Sequence, residues 1–279
     1  MERENHSILK LCKSMQLSTS SYYDYLKREQ LPIDDKGLEQ AVLSAFWRHK
    51  RRYGTRRLVS ELKDEGYVVG RKRISKILKK NGLRAIQPKS YVPKTTKSHP
   101  HLRRSPNLLI DNGVVESCNE VWVGDITYLP LQRGEWAYLA TWLDIYSHHI
   151  VGWEVKSHMG EALVIDAFEK AVQKRQPSAG LIVHSDGGGQ YKGDQFRQRL
   201  ERYGYLQSMT RKDNHYDNAH AESLFSRIKA EVLEGGAFFD ETEARMECFD
   251  YIDCYYNPIR RHSSIGNKSP LQFEKECGC

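Results

Sequence analysis

The chain is short of features that would place it in several large classes. Its longest apolar run, around Trp136–Leu143, falls well below the ~20 residues a membrane helix needs. The amino terminus, Met1-Glu2-Arg3-Glu4, has no apolar stretch of the secretory kind. Both absences point to a cytoplasmic protein with no membrane partner. Cysteine is sparse: six in 279 residues, at 12, 118, 248, 254, 277 and 279. None stands in a CxxC pair, and no histidine pair accompanies them at zinc-finger spacing. Reduced thiols are therefore expected, with Cys277-Gly278-Cys279 a loose end. The GxxxxGK[ST] pattern is missing, which removes an ATP site despite the glycines at 187–189. Internal repeats, low-complexity tracts and leucine heptads are missing as well.

Charge is plentiful but unevenly spread. The net is +7, yet Trp47 to Ile110 holds 19 Lys/Arg against 3 Asp/Glu, while residues 111–279 hold 18 against 26. A solvated helix face does not produce such an imbalance over 64 residues. A polyanionic partner does, and double-stranded DNA is the simplest one.

Helical periodicity divides the amino-terminal part. In residues 1–35 an apolar helix from Ile8 to about Met15 meets a turn, and Ser18 can cap a second helix carrying Tyr22, Tyr23 and Leu26. That is the size of a helix-turn-helix. Residues 36–84 read as a second, basic helix-turn-helix-like domain. In TRRLVSELKDEG, Leu58 and Leu62 lie one turn apart. In RKRISKILKKNGL, Ile74, Ile77 and Leu78 share one face and the basic residues the other. Arg56, Arg57, Arg71, Lys72, Arg73 and Lys76 are the candidate DNA contacts. Residues 85–116 carry four of the nine prolines among Lys, Ser and Thr, and read as a basic linker that orders on DNA.

Residues 117–279 read as an α/β domain. Val121-Trp122-Val123 leads through Asp125 into a strand, followed by β-rich runs at Glu135–Tyr146 and His149–Val155, which predicts a three-stranded antiparallel meander. A helix is expected over 160–175. A short buried strand ends at Ser185-Asp186, and a further helix (194–203), a strand near Tyr205–Met209 and helices at about 218–233 and 241–256 follow.

Three carboxylates stand out. Asp125 lies in the first strand, Asp186 directly after a buried strand where α/β sheets collect ligands, and Glu222 early on a helix. Phosphodiester cleavage gives such a set a purpose, because two divalent ions can serve the attacking and leaving oxygens together. Mg²⁺ needs only a few carboxylate oxygens and keeps water and phosphate as its other ligands. Each acid has a plainer alternative: Asp125 as a turn cap, Asp186 as an Asx-turn before Gly187, Glu222 as a partner of Arg227 or Lys229. His184 and His215 flank the site in sequence, with packing as much as substrate contact open to them. His148-His149 alternate across a strand and do not read as a metal pair. Asp144 reads as structural.

The segments VWVGDITYLP, YLATWLDIYSHHIVGW, HSDGGGQY, YDNAHAESLFSRIK and YYNPIRRHSSIGNKSPLQF resemble the DDE transposase core of bacterial insertion sequences. The second-frame (OrfB) type of the IS-three family is the nearest pattern, and its core is similar to retroviral integrases. Asp125 precedes Ile-Thr-Tyr, Asp186 follows His-Ser, and Glu222 stands in Asp-Asn-Ala-x-x-Glu-Ser with 35 residues between it and Asp186. The basic helical region resembles that family's helix-turn-helix, so the likeness spans essentially the whole chain. It implies an RNase H-like α/β core, a mixed five-stranded sheet with helices, preceded by all-α helix-turn-helix units. It also implies that Asp125, Asp186 and Glu222 are catalytic acids holding two Mg²⁺ ions, with Mn²⁺ as a substitute, and that Lys229 grips a DNA phosphate. The expected activity is 3′-end cleavage and strand transfer, passing through circular element intermediates. The expected partners are the element's terminal repeats and target DNA, a second copy of the chain, and an upstream-frame protein or fusion, at the bacterial nucleoid. A nuclease that does not join, or a DNA-binding regulator without catalysis, is the alternative. One position departs from the pattern: the family often carries Arg after the second Asp, and this chain has Gly187.

Overall fold

A computed structural model describes residues 7–30, 35–87, 104–110, 114–211 and 219–279. The chain forms two compact units, Met1–Arg84 and Ala85–Cys279.

The first unit is helical: α1 (Ile8–Ser14), α2 (Thr19–Gln30), α3 (Asp35–Arg48), α4 (Thr55–Asp64) and α5 (Arg71–Lys80). Ser18 does cap α2, its Oγ accepting from the Ser21 amide at 3.0 Å. Leu38, Val42, Phe46, Leu58, Leu62, Ile74 and Leu78 are buried, the apolar stripes of three helices turned on one another. Packing those stripes inward leaves Arg56, Arg71, Lys72 and Lys76 exposed.

The second unit is built on a five-stranded sheet of order β3-β2-β1-β4-β5. The strands are β1 (Val121–Pro130), β2 (Trp136–Asp144), β3 (Ile150–Lys156), β4 (Ile182–Ser185) and β5 (Leu206–Met209). The first three form the expected antiparallel meander, and β4 and β5 add to β1 in parallel. Side chains alternate across β1 and β4 and so feed two cores. Trp122 and Val183 face α6 (Glu161–Arg175), α7 (Gly189–Lys192) and α8 (Asp194–Tyr203), packing with Trp142, Phe168, Tyr191 and Phe196. At Gly152 a Cβ would lie 2.6 Å from the Cβ of Ala171, so a side chain there would push α6 off β3. Val121, Val123 and Ile182 face the other way, onto Ala221 of α9 (Ala219–Ile228). A π-helical turn, Lys229–Leu233, continues α9; α10 (Glu241–Phe249) likewise runs into a π-helical turn, Asp250–Tyr256.

Four expectations are corrected. The carboxy terminus is not loose: Pro270–Cys277 forms α11, capped where Ser269 Oγ accepts from the Gln272 amide. Cys279 is disulfide-bonded to Cys118, so those two thiols are not free, while Cys12, Cys248, Cys254 and Cys277 are. His148 and His149 precede β3 rather than alternating along it, and His148 has a left-handed backbone (φ 58°). The end of the stretch read as a linker is also part of the core unit. The Pro106 carbonyl accepts from the Met209 amide at 3.1 Å, and Leu108, Leu109 and Val115 pack on Val121, Val123 and Ile182. Pro88, Pro93 and Pro100 lie outside the described residues, as does His215. No helix among the described residues is long and apolar enough to cross a membrane.

Candidate active site

Strand pairing builds the site. Gly124 of β1 is in register with Ser185, the last residue of β4; Asp125 is the next residue of β1, and Asp186 the first residue past β4. Their backbones therefore sit about one strand spacing, ~5 Å, apart. Alternation puts Asp125 on the face of Val121 and Val123, and Asp186 on the face of Ile182, which is the face α9 covers.

The Asp186 carboxylate is aimed by its own turn: Oδ1 accepts from the Gly188 amide at 2.9 Å. The Asx-turn alternative is thus real, and it fixes the carboxylate's direction without excluding a ligand role. Asp125 Oδ1 accepts from the Ile126 amide at 2.8 Å. Burial pushes the Asp186 carboxyl above its usual range, with the Gly188 amide, Arg104 and Lys192 pulling it back. Tyr191 reports on both acids. Its hydroxyl is driven far up, first by burial and then by the charges of Asp125 and Asp186.

Cations surround the pair, so the acids are not uncompensated as the sequence suggested. Lys229 is half-buried; burial pushes its ammonium down, and the Asp125 charge acts the other way. Lys192 is buried beside Asp186 and Arg104. Arg104 is the residue sequence reasoning missed. Its Nε donates to the Thr210 carbonyl at 2.8 Å and its Nη2 to the Thr210 hydroxyl at 3.0 Å. Its guanidinium lies over Gly187, where a Cβ would meet Nη1 at 2.7 Å. The absence of a side chain at 187 makes room for a guanidinium from 83 positions upstream. The one signal in the sequence was the departure at 187 itself, and nothing there named the partner.

Glu222 stands apart. It lies in the first turn of α9 and is exposed, with Ala221 beside it packed on the strands that carry the two aspartates. Among the described residues no three His, Cys, Asp or Glu side chains are close enough to hold a metal together. Arg227, one of the alternative partners for Glu222, instead reaches Ser223 at 3.4 Å. Lys229, seven residues on, falls on nearly the same side of the helix as Glu222, about 10 Å along it.

The other singled-out residues are structural. Asp144 is fully buried and accepts from the amides of Asn119 (2.7 Å), Tyr146 (3.0 Å) and Ser147 (3.2 Å). His184 is buried on β4, with Nδ1 2.8 Å from Ser208 Oγ. In the basic unit, Arg57 lies over the Tyr53 ring at 5.6 Å. Arg56, Arg71, Lys72 and Lys76 form no ion pair among the described residues, leaving their charges to solvent or a ligand.

Comparison with known proteins matches the Integrase core domain over residues 116–215, a second Integrase core domain family over 203–270, and an HTH-like domain over 32–91. Transposase InsF for insertion sequence IS3A of Escherichia coli (strain K12) is 36% identical over 274 residues, 97% of this chain and 94% of the relative. The transposase for insertion sequence element IS904 of Lactococcus lactis is 38% identical over 243 residues, 87% of this chain and 95% of the relative. Among solved structures, the catalytic core of HTLV-2 integrase in complex with magnesium covers 56% of this chain and 95% of its own at 17% identity, with a TM-score of 0.43. A simian T-cell lymphotropic virus intasome covers 84% of this chain and 73% of that one, at 16% identity and a TM-score of 0.46. With Asp125 on β1 and Asp186 just past the adjacent β4 of a mixed five-stranded sheet, a basic helical unit earlier in the sequence and relatives alike along nearly the whole chain, this protein belongs to the integrase-core transposases of bacterial insertion sequences of the IS3 family.

Proposed function

We propose that the chain cuts DNA at the 3′ ends of its insertion sequence and joins those ends to new DNA, using Asp125, Asp186 and Glu222 as ligands for two Mg²⁺ ions, with Mn²⁺ as a substitute. The observation that carries the reading is that Asp125 and Asp186 each directly follow the last paired residues of β1 and β4, Gly124 and Ser185. The residues suit a hard cation: the donors are carboxylate oxygens, and burial that disfavours charge on Asp186 is offset by a cation beside it. When bound, such ions activate the attacking oxygen and offset charge on the leaving one.

The protein's own groups hold the strand. Gly188 fixes the direction of the Asp186 carboxylate. Lys229, which the Asp125 charge reaches, faces a phosphate held there and supplies a donor to its oxygens. Arg56, Arg57, Arg71, Lys72, Arg73 and Lys76 grip the backbone of the duplex. The chain acts in the bacterial cytoplasm as an oligomer on paired element ends, alone or with an upstream-frame protein.

The test is a cleavage and strand-transfer assay on a duplex carrying the element's end, with Asp125→Asn, Asp186→Asn and Glu222→Gln. Each variant should lose both steps by at least 100-fold, while duplex binding and melting temperature stay near wild type. Unchanged Mg²⁺-dependent cleavage by Asp125→Asn would overturn the assignment. Cleavage without joining of a pre-cut end would reduce the activity to that of a nuclease.

A further inference from the structure

A cleft of about 190 Å³ opens on the core unit between the turn before β3, the first turns of α9 and the segment after Tyr256. That volume is several times the ~30 Å³ one water takes. Its polar lining is His148, His220, Ser223, Arg227, His262, Ser263 and Ser264, closed by apolar atoms of Leu143, Ala219, Leu224 and Tyr256. Among the described residues no carboxylate lines it.

The polar groups are organised. The His148 ring stacks on that of His262 at 5.7 Å and 7°, with His220 6.2 Å away. Ser264 Oγ lies 2.9 Å from His148 Nε2. The His148 backbone is left-handed, uncommon for a residue with a side chain. Arg227 brings a positive charge to the cleft, while burial first, then His220 and Arg227, push the His148 imidazole down to about 4. Three imidazoles also fit a transition metal, but among the described residues none of the groups of three converges as a metal site requires. Hydroxyls, imidazoles and a guanidinium, with no acid among the described lining residues, are complementary to a tetrahedral oxyanion.

We propose that this cleft binds a phosphate group of the DNA backbone, distinct from the one at the catalytic acids. The DNA source rests on the transposase reading above; the oxyanion chemistry does not. Glu222 and His220 are two residues apart on α9, about 160° around the helix. The cleft and the catalytic acid therefore occupy opposite sides of one helix, and a strand seated here is gripped away from the bond being cut.

The experiment follows the histidine ring-proton resonances of the full-length protein by NMR as inorganic phosphate is added at constant pH and ionic strength. Phosphate should shift the signals that disappear in His148→Gln and His220→Gln variants, the second at an exposed position where folding is not at stake. Arg227→Gln should weaken that response about tenfold, as loss of one charge-assisted donor does. A duplex carrying the element's end should move the same signals and displace the phosphate. No response to phosphate, or an equal response in Arg227→Gln, overturns the site. A response that the duplex cannot displace overturns the DNA assignment. If wild-type protein fails to cleave in Mg²⁺ while phosphate and duplex still compete at the histidines, the transposase reading falls and this site stands.

Discussion

Glu274 offers the sharpest test of how the core unit is held together. It sits on α11 with its side chain 5% exposed, and four donors converge on its carboxylate. Arg175 of α6 grips it with both terminal nitrogens, at 2.9 and 2.8 Å. Ser147 Oγ donates at 2.7 Å, and His149 Nδ1 lies at 2.9 Å. Burial alone would raise this carboxyl, but the His149, Arg175 and Ser147 hydrogen bonds outweigh it and hold the group at about 2, against an ordinary 4.5. At about 1.36 kcal/mol per tenfold change in proton affinity, trimmed for partial solvent screening, the charged form contributes about 2 to 3 kcal/mol to folding. The folded value is the depressed one. The contribution is therefore complete above 4.5, declines as the unfolded chain takes up the proton, and is gone once pH falls through about 2. Glu274→Gln keeps the shape and removes the charge. In urea unfolding followed by tryptophan fluorescence, with four of the five tryptophans in this unit, it should cost about 2 to 3 kcal/mol at pH 7 and roughly half that near pH 3. An equal deficit at both pH values would show that the loss is one of packing, and the electrostatic reasoning would be wrong.

Arg260→Ala should be more damaging, about 3 to 5 kcal/mol or roughly 10 °C in melting temperature, because it strands the Glu231 carboxylate among buried groups. A loss below 1 kcal/mol would contradict that. In the basic unit, Lys72→Ala and Arg71→Ala should each flatten the slope of log affinity against log salt by about 1 for any duplex sequence. A sequence-selective loss would instead make the residue a base reader. Thiol titration of the denatured, unreduced protein should find four free cysteines, with Cys118 and Cys279 unreactive. Six would mean that the pair is open.

The parts of this structure that were legible in the sequence are those governed by local periodicity. Stripes such as Leu58–Leu62 and Ile74–Leu78 gave the helices and their buried faces, and short β-rich runs gave the meander. Asp125 and Asp186 stood out by their places in and just after expected strands, and the family resemblance supplied the role proposed for them. What escaped depends on contacts between distant segments. Arg104 reaches Thr210 across 106 positions, and Glu274 reaches Arg175 across 99. In a periodicity count Glu274 is a surface residue of a short helix, and only its partners reveal it as the buried anchor of α11. The π-helical turns after α9 and α10 escaped for a different reason: a few residues of wider winding barely disturb an apolar period of 3.6.

The two aspartates and the glutamate are held by different means, and this bears on how the site is set. Asp125 and Asp186 are fixed by sheet register. Glu222 and Lys229 ride on α9 and its π-helical extension, which meets the sheet through Ala221. The other end of that extension is tied down by Glu231, whose carboxylate takes Arg260 Nε at 2.9 Å, Nη2 at 2.5 Å and the Tyr251 hydroxyl at 2.9 Å, all buried. Apolar residues of similar volume could fill this space at no loss of stability. They would not fix one rotation and one level of the helix as a bidentate guanidinium does. Asn257 anchors the same segment to β3, its side chain exchanging two hydrogen bonds with the Ile150 backbone at 3.0 and 3.1 Å. The Tyr-Tyr-Asn-Pro-Ile-Arg-Arg-His run thus acts through α9 and its extension. It sets where the helix-borne lysine and glutamate stand relative to acids that the sheet has already placed.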